Sequence, residues 1–159
     1  MSKIKEVLEN KDSVIAFDVD GVLAPIEYGE YNHYYANDEE WAEEIEKGTD
    51  FYKDVRPVKV LKDFISTKDI NNIYVITKVM NEKEFSDKLK FLNKNYGILE
   101  DNCFMVYDDK DKLNKLDEIN NKLNIDDRLI VMVDDTVSVL NHIMENSKYT
   151  TVHISTFLK

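Results

Sequence analysis

Cysteine is nearly missing from this 159-residue chain. The single Cys103 cannot form an internal disulfide, so a reducing, cytoplasmic setting is the expectation. Proline (two) and glycine (four) are scarce, which excludes collagen-like and low-complexity classes. No apolar run approaches the roughly 18 residues of a membrane span. The opening Met1-Ser2-Lys3-Ile4-Lys5-Glu6 lacks the apolar stretch of a secretory leader. The three histidines, His33, His142 and His153, show no metal-ligand spacing. Positive charge is also short: 21 Lys and Arg stand against 32 Asp and Glu, a net charge of −11. That balance opposes tight non-specific binding to nucleic acid or anionic lipid. A small phosphorylated ligand remains compatible, provided a cation and a local positive field sit in its site.

What is present is a globular composition, 43% hydrophobic and 33% charged, at a length suited to one domain. With no internal repeat or linker, residues 1–159 read as a single domain. Five apolar, β-branched-rich runs look like strands covered on both faces. They are Ser13 to Phe17, Asn72 to Ile76, Cys103 to Tyr107, Leu129 to Val133 and Thr150 to Ile154. Amphipathic stretches alternate with them, which predicts an α/β fold with a mainly parallel sheet. Pro57 suits a first helical residue, ahead of Val60, Leu61, Phe64 and Ile65. Asn81 with Glu84 resembles a capping box, Phe85, Leu89 and Leu92 mark one helical face, and Gly97 is a stop. Leu113, Leu116, Ile119 and Leu123 mark another helix, and Val139, Leu140 and Ile143 a shorter one. The alternation breaks between Gly21 and Arg56, a stretch that is acidic and rich in aromatics (Tyr28, Tyr31, Tyr34, Tyr35, Trp41, Phe51, Tyr52). Residues 22–55 read as a small cap inserted after the first strand, with one helix from Asp38 to Lys47.

Three of the five runs end on polar residues: Asp18, Thr77 and Asp134. In open α/β sheets the carboxyl ends of the strands form the ligand crevice, so these residues should converge there. Asp18 and Asp20 repel each other unless a cation or proton holds them, and a hard cation such as Mg²⁺ suits oxygen ligands. Asp134 and Asp135 add carboxylates from another strand end. Gly21 permits a sharp turn. Lys78 places an amide after Thr77 that opens toward an anion, and Lys112, with Lys110 and Lys115 as neighbours, is placed to neutralise phosphate or restrain Asp18. Carboxylates can act as covalent nucleophiles toward phosphorus.

Asp18-Val19-Asp20-Gly21-Val22-Leu23, Thr77, Lys112 and Asp134-Asp135 together resemble the four ordered motifs of the haloacid dehalogenase-like (HAD) phosphatase superfamily. The resemblance spans Val14 to Ile154. It implies a Rossmann-like three-layer fold with strand order 5-4-1-2-3 and a catalytic set of Asp18, Asp20, Thr77 and Lys112. Asp18 would form a phospho-aspartyl intermediate, and Asp20 would protonate the leaving group and then activate water. Mg²⁺ would be held by Asp18, the Asp20 backbone carbonyl and an acid of the fourth motif, Asp135 as the direct ligand with Asp134 as its neighbour. Within the superfamily the chain is most similar to the 5′(3′)-deoxyribonucleotidase-type branch, on Asp20-Gly21-Val22-Leu23-Ala24, Asp50-Phe51-Tyr52 and the bare Asp-Asp motif. Gly21, Lys78, Trp41, Phe51 and Tyr52 then become candidate substrate contacts. The expected activity is a Mg²⁺-dependent phosphomonoesterase acting on a nucleotide or similar small phosphometabolite. Phosphatases acting on polynucleotide ends or proteins, and a non-catalytic phosphate-binding module, are the alternatives.

Overall fold

The computed structural model describes residues 3–26 and 37–158. Five strands form one sheet: β1 (Val14–Phe17), β2 (Ile73–Lys78), β3 (Cys103–Val106), β4 (Ile130–Asp134) and β5 (Thr150–His153). All pairings are parallel, in the order β3-β2-β1-β4-β5. This is the expected order, read from the other edge. The helices are α1 (Lys3–Glu9), α2 (Asp38–Glu46), α3 (Lys59–Ser66), α4 (Glu82–Tyr96), α5 (Lys112–Leu123) and α6 (Val137–Asn146).

The alternation of side chains along the central strands divides the core in two. Ile15, Phe17, Ile73, Val75, Val131 and Val133 face Leu61 and Ile65 of α3 and Phe91 and Leu92 of α4. Val14, Ala16, Tyr74, Ile76, Ile130 and Met132 face Leu116 and Ile119 of α5 and Val139, Leu140 and Ile143 of α6. Each central strand is therefore apolar on both faces, which is why its sequence runs without a polar interruption. The chain winds outward from β1 through β2 to β3 under α3 and α4. It then crosses back to β4 and β5 over α5 and α6. The direction reverses between β1 and β4, and the crevice for a ligand opens at their carboxyl ends.

Local signals were mostly honoured, with instructive shifts. Gly97 ends α4 in the left-handed conformation (φ 68). The helix expected from Pro57 begins at Lys59 instead: Val58 is extended, and its amide donates to the Tyr96 hydroxyl (2.8 Å). At the start of α4 the Asn81 side chain accepts from the Glu84 amide, but the Glu84 carboxylate turns to the Met80 amide (2.7 Å), leaving a half capping box. A complete box occurs at α2, between Asn37 and Glu40. The short α1 was not anticipated from sequence; its Leu8 packs into the core. Of the expected cap, Val22, Leu23, Ala24 and Ile26 are buried in the main core, and α2 adds Trp41 and Ile45 to the same cluster. Tyr28, Tyr31, His33, Tyr34 and Tyr35 lie outside the described residues. Among the described residues no helix is long and apolar enough to cross a membrane.

Candidate active site

The site begins where β1 stops. The Asp18 amide still donates to Val133 O (2.9 Å), so this residue is fixed by the sheet while its side chain leaves it. The chain then turns tightly, with Ala24 N donating to Val19 O (2.9 Å) and Gly21 N to Ala24 O (3.1 Å). Gly21 sits at φ 74, and a Cβ added there would overlap Asp135 Oδ2 and come within 2.9 Å of Asp135 Cγ. Glycine thus serves both the turn and the close approach of Asp135. Gly21→Ala is expected to add about 1–3 kcal/mol of backbone strain. It should also displace Asp135, so that, if these acids hold Mg²⁺, calorimetry should show weaker binding alongside a lower melting temperature. Unchanged Mg²⁺ affinity would remove Asp135 from the ligand set.

Asp18, Asp134 and Asp135 each offer a carboxylate oxygen within 4.8 Å of the others. Asp18 and Asp134 are buried, whereas Asp135 is exposed. Lys112 rises from the first turn of α5 with only 2% exposure. Its Nζ donates to Asp134 Oδ2 (2.9 Å) and lies 3.3 Å from Asp18 Oδ1 and 3.2 Å from Asp109 Oδ1. Lys110 is exposed on the preceding turn. Burial pushes the Asp18 carboxyl up to about 7; Lys112 opposes this, while Asp134 and Asp20 reinforce it. Asp135 is raised by burial and by Asp134. For Lys112 burial works against the charge, but Asp18 and Asp134 prevail and raise it. These directions describe a pocket with more negative than positive charge, the environment a divalent cation completes. Asp134 Oδ1 also accepts the Thr136 amide (2.9 Å), which orients the second carboxylate from behind.

Asp20 points elsewhere. Tyr52 donates its hydroxyl to Asp20 Oδ1 (2.7 Å) and Lys88 donates to Asp20 Oδ2 (2.7 Å). Thr77 is fully buried at the end of β2, and its Oγ1 accepts from Lys88 (2.8 Å). Of the candidate substrate contacts, Trp41 and Phe51 stack on one another (4.0 Å between centroids, 7° between planes). Tyr52 is buried; burial first, then Asp20 and Glu84, raise its hydroxyl far above the ordinary range, so it stays a donor. Lys78 is half exposed, 4.0 Å from Asp109. A cavity of about 390 Å³ adjoins Asp20, lined by Asp38, Trp41, Lys78, Val79, Met80, Glu84 and Tyr107. His153, at the end of β5, lies 3.1 Å from Asp135 O.

Sequence reasoning missed Lys88, Glu84 and Tyr107. The first two carry a readable signal: Glu84, Lys88, Phe91, Leu92 and Tyr96 fall on one helical stripe, and all are buried. A lysine on an apolar stripe must find partners inside the protein. Reading the face from Phe85 and Leu89 set the helix slightly off its true inward direction.

No family model matches the chain, and no curated protein matches it. Among solved structures, the HAD domain of effector protein Lem4 from Legionella pneumophila aligns with a TM-score of 0.46 at 12% identity, covering 89% of this chain and 84% of that one. An inactive mutant of the same domain aligns at 0.47 and 11% identity, covering 89% and 83%.

Proposed function

We propose that this chain is a Mg²⁺-dependent phosphomonoesterase of the haloacid dehalogenase-like type, with Asp18 as nucleophile. The observation that carries the reading is the meeting of Asp18 with Asp134, Asp135 and Lys112 at the β1–β4 reversal point. The donor set fits the metal: three carboxylates of hard oxygen, two of which share the buried Lys112 ammonium with Asp109. Asp18, Asp134 or Asp135, and the Asp20 carbonyl would hold Mg²⁺, which when bound supplies charge neutralisation for the phosphate oxygens.

The protein's own groups then divide the work. An Asp18 carboxylate oxygen bonds to phosphorus as the bond from phosphorus to the leaving oxygen breaks. The leaving oxygen keeps that electron pair and takes a proton from Asp20. In the second half a water oxygen bonds to phosphorus, its proton passes to Asp20, and the bond to Asp18 breaks with the electron pair returning to the carboxylate. Lys112 holds Asp18 in place and offsets charge on the equatorial oxygens. The leaving group occupies the cavity beside Asp20. Its volume and its Trp41, Met80 and Tyr107 lining suit a nucleoside or a comparably sized group. The acidic surface favours such a small substrate over a polynucleotide. Cys103, buried with its thiol pushed up to about 12 by burial, takes no part.

The test is phosphate release from nucleoside monophosphates, sugar phosphates and an aryl phosphate, with Mg²⁺ or EDTA. Metal-dependent turnover of nucleotides supports the whole reading; turnover of other phosphates alone keeps the chemistry and discards the nucleotide. No release from any of them defeats it. Tyr107, 59% exposed at the end of β3, offers a ring face to a base. Tyr107→Ala is expected to raise KM for nucleotides about tenfold, the scale of one lost stacking contact, with little change in kcat. An unchanged KM would move the leaving group away from this wall.

A further inference from the structure

Lys88 is a lysine with no route to solvent: its exposure is 0%. Its ammonium has three hydrogens and three short acceptors, Asp20 Oδ2 (2.7 Å), Lys78 O (2.7 Å) and Thr77 Oγ1 (2.8 Å). Glu84, one turn earlier on α4, lies farther away at 3.4 Å. If charge compensation within the helix were its whole role, Glu84 would be the natural short partner. The geometry runs the other way, from α4 across the end of β2 to the loop after β1. Glu84 is meanwhile committed elsewhere. It accepts from the Met80 amide (2.7 Å) and Trp41 Nε1 (3.3 Å), and lies 3.3 Å from the Tyr52 hydroxyl oxygen. Tyr52 closes the ring by donating to the other oxygen of Asp20, and its aromatic face lies 5.6 Å from the Lys88 ammonium.

Both oxygens of Asp20 are therefore held by donors that are themselves locked by packing, while 26% of the Asp20 side chain remains open to the cavity. We propose that Lys88, with Tyr52, is a positioning residue that aims the Asp20 carboxyl group at the leaving oxygen, where it gives up the proton that it takes from water in the second half of the preceding cycle. Neither Lys88 nor Tyr52 reaches substrate; both act through Asp20. This inference rests on the phosphatase reading and assigns two residues that the ordered motifs do not contain. Catalytic acids lose effectiveness when their supporting contacts loosen, even where the acid itself remains.

The role predicts a particular signature. Protonation of the leaving oxygen matters greatly for an alkyl ester and little for an aryl ester, whose phenolate departs unaided. The experiment compares kcat/KM for p-nitrophenyl phosphate and for a nucleoside 5′-monophosphate in wild type, Lys88→Met, Lys88→Arg and Tyr52→Phe, each with its melting temperature. Lys88→Met is expected to lose about 100-fold more on the alkyl ester than on the aryl ester, within the range of general acid catalysis. Lys88→Arg should regain part of that difference. Tyr52→Phe should lose on the order of tenfold more on the alkyl ester, one donor being removed without stranding a buried charge. Equal losses on both esters would overturn the proposal while leaving the phosphatase reading intact. Should Lys88→Met fail to fold, Tyr52→Phe decides: an unchanged ester ratio there overturns it. Wild type that releases phosphate from none of the nucleotides, sugar phosphates or aryl phosphate defeats the functional reading and this proposal with it.

Discussion

Asp18→Asn is expected to abolish phosphate release, by at least about 10⁴-fold at saturating Mg²⁺, the scale on which removal of a nucleophile is felt. Asparagine keeps the shape of the side chain and its place at the end of β1 but has no carboxylate oxygen to form the bond to phosphorus. The same substitution should stabilise the protein in EDTA at pH 8. Burial and the neighbouring Asp134 and Asp20 work against a charge at this position, and Lys112 keeps Asp134 and Asp109 when Asp18 is neutralised. The folded carboxyl, at about 7, lies above its ordinary 3.8. Wild-type stability in EDTA therefore declines as pH rises between those values and is lowest above them. The advantage of the asparagine variant should shrink below about pH 7, where wild-type Asp18 takes up a proton itself. Mg²⁺ should reverse the ranking, since wild type gains more from a ligand it binds more tightly. Phosphate release and melting curves in EDTA and in Mg²⁺ check both halves. Activity within tenfold of wild type would place the nucleophile elsewhere. A variant less stable than wild type in EDTA would mean that the three acids are already compensated without a cation.

The five strands were legible because each central strand is covered on both faces, so its apolar run is unbroken and ends abruptly where the crevice begins; their order followed only from the resemblance of the motifs. Phe17 to Asp18 and Val133 to Asp134 mark the same physical boundary. Helix starts were harder. Pro57 satisfies every local rule for a first helical residue, yet Val58 is extended, its amide donating to the distant Tyr96 hydroxyl, and the helix begins at Lys59. The convergence of Asp18, Asp134, Asp135 and Lys112 could be read from strand ends and motif order. The surroundings of Asp20 could not. Lys88, Glu84 and Tyr52 reach it from a helix and a loop whose relative placement only tertiary packing sets. The aromatic residues were ambiguous for a related reason: Trp41 and Phe51 spend ring faces on each other, which sequence cannot distinguish from faces offered to a ligand.

Lys112→Met should produce the second large effect, and it separates charge compensation from catalysis. Lys112 lies within 3.3 Å of carboxylate oxygens on Asp18, Asp134 and Asp109, and only the last is substantially exposed. Removing the ammonium leaves two buried acids facing each other with no positive partner in contact, a loss of about 3–5 kcal/mol. For a domain of this size that corresponds to roughly 10–15 °C in melting temperature when metal is chelated. Methionine fills nearly the same volume, so the effect belongs to the charge rather than to a cavity. A divalent cation bound by the same acids supplies the missing charge. Mg²⁺ should therefore bind the variant more tightly than wild type and restore much of the lost stability, as the reciprocity of linked binding requires. Activity should not return with it. In the proposed mechanism the ammonium also offsets charge on the phosphate oxygens, so kcat at saturating Mg²⁺ should stay at least about 100-fold low. Titration calorimetry with Mg²⁺ and melting curves at matched metal saturation make the comparison. Tighter metal binding with poor turnover would establish that Lys112 and the cation compensate the same acids while only Lys112 serves the reaction. Unchanged Mg²⁺ affinity and an unchanged melting temperature in EDTA would mean that Lys112 is not coupled to the acids it touches.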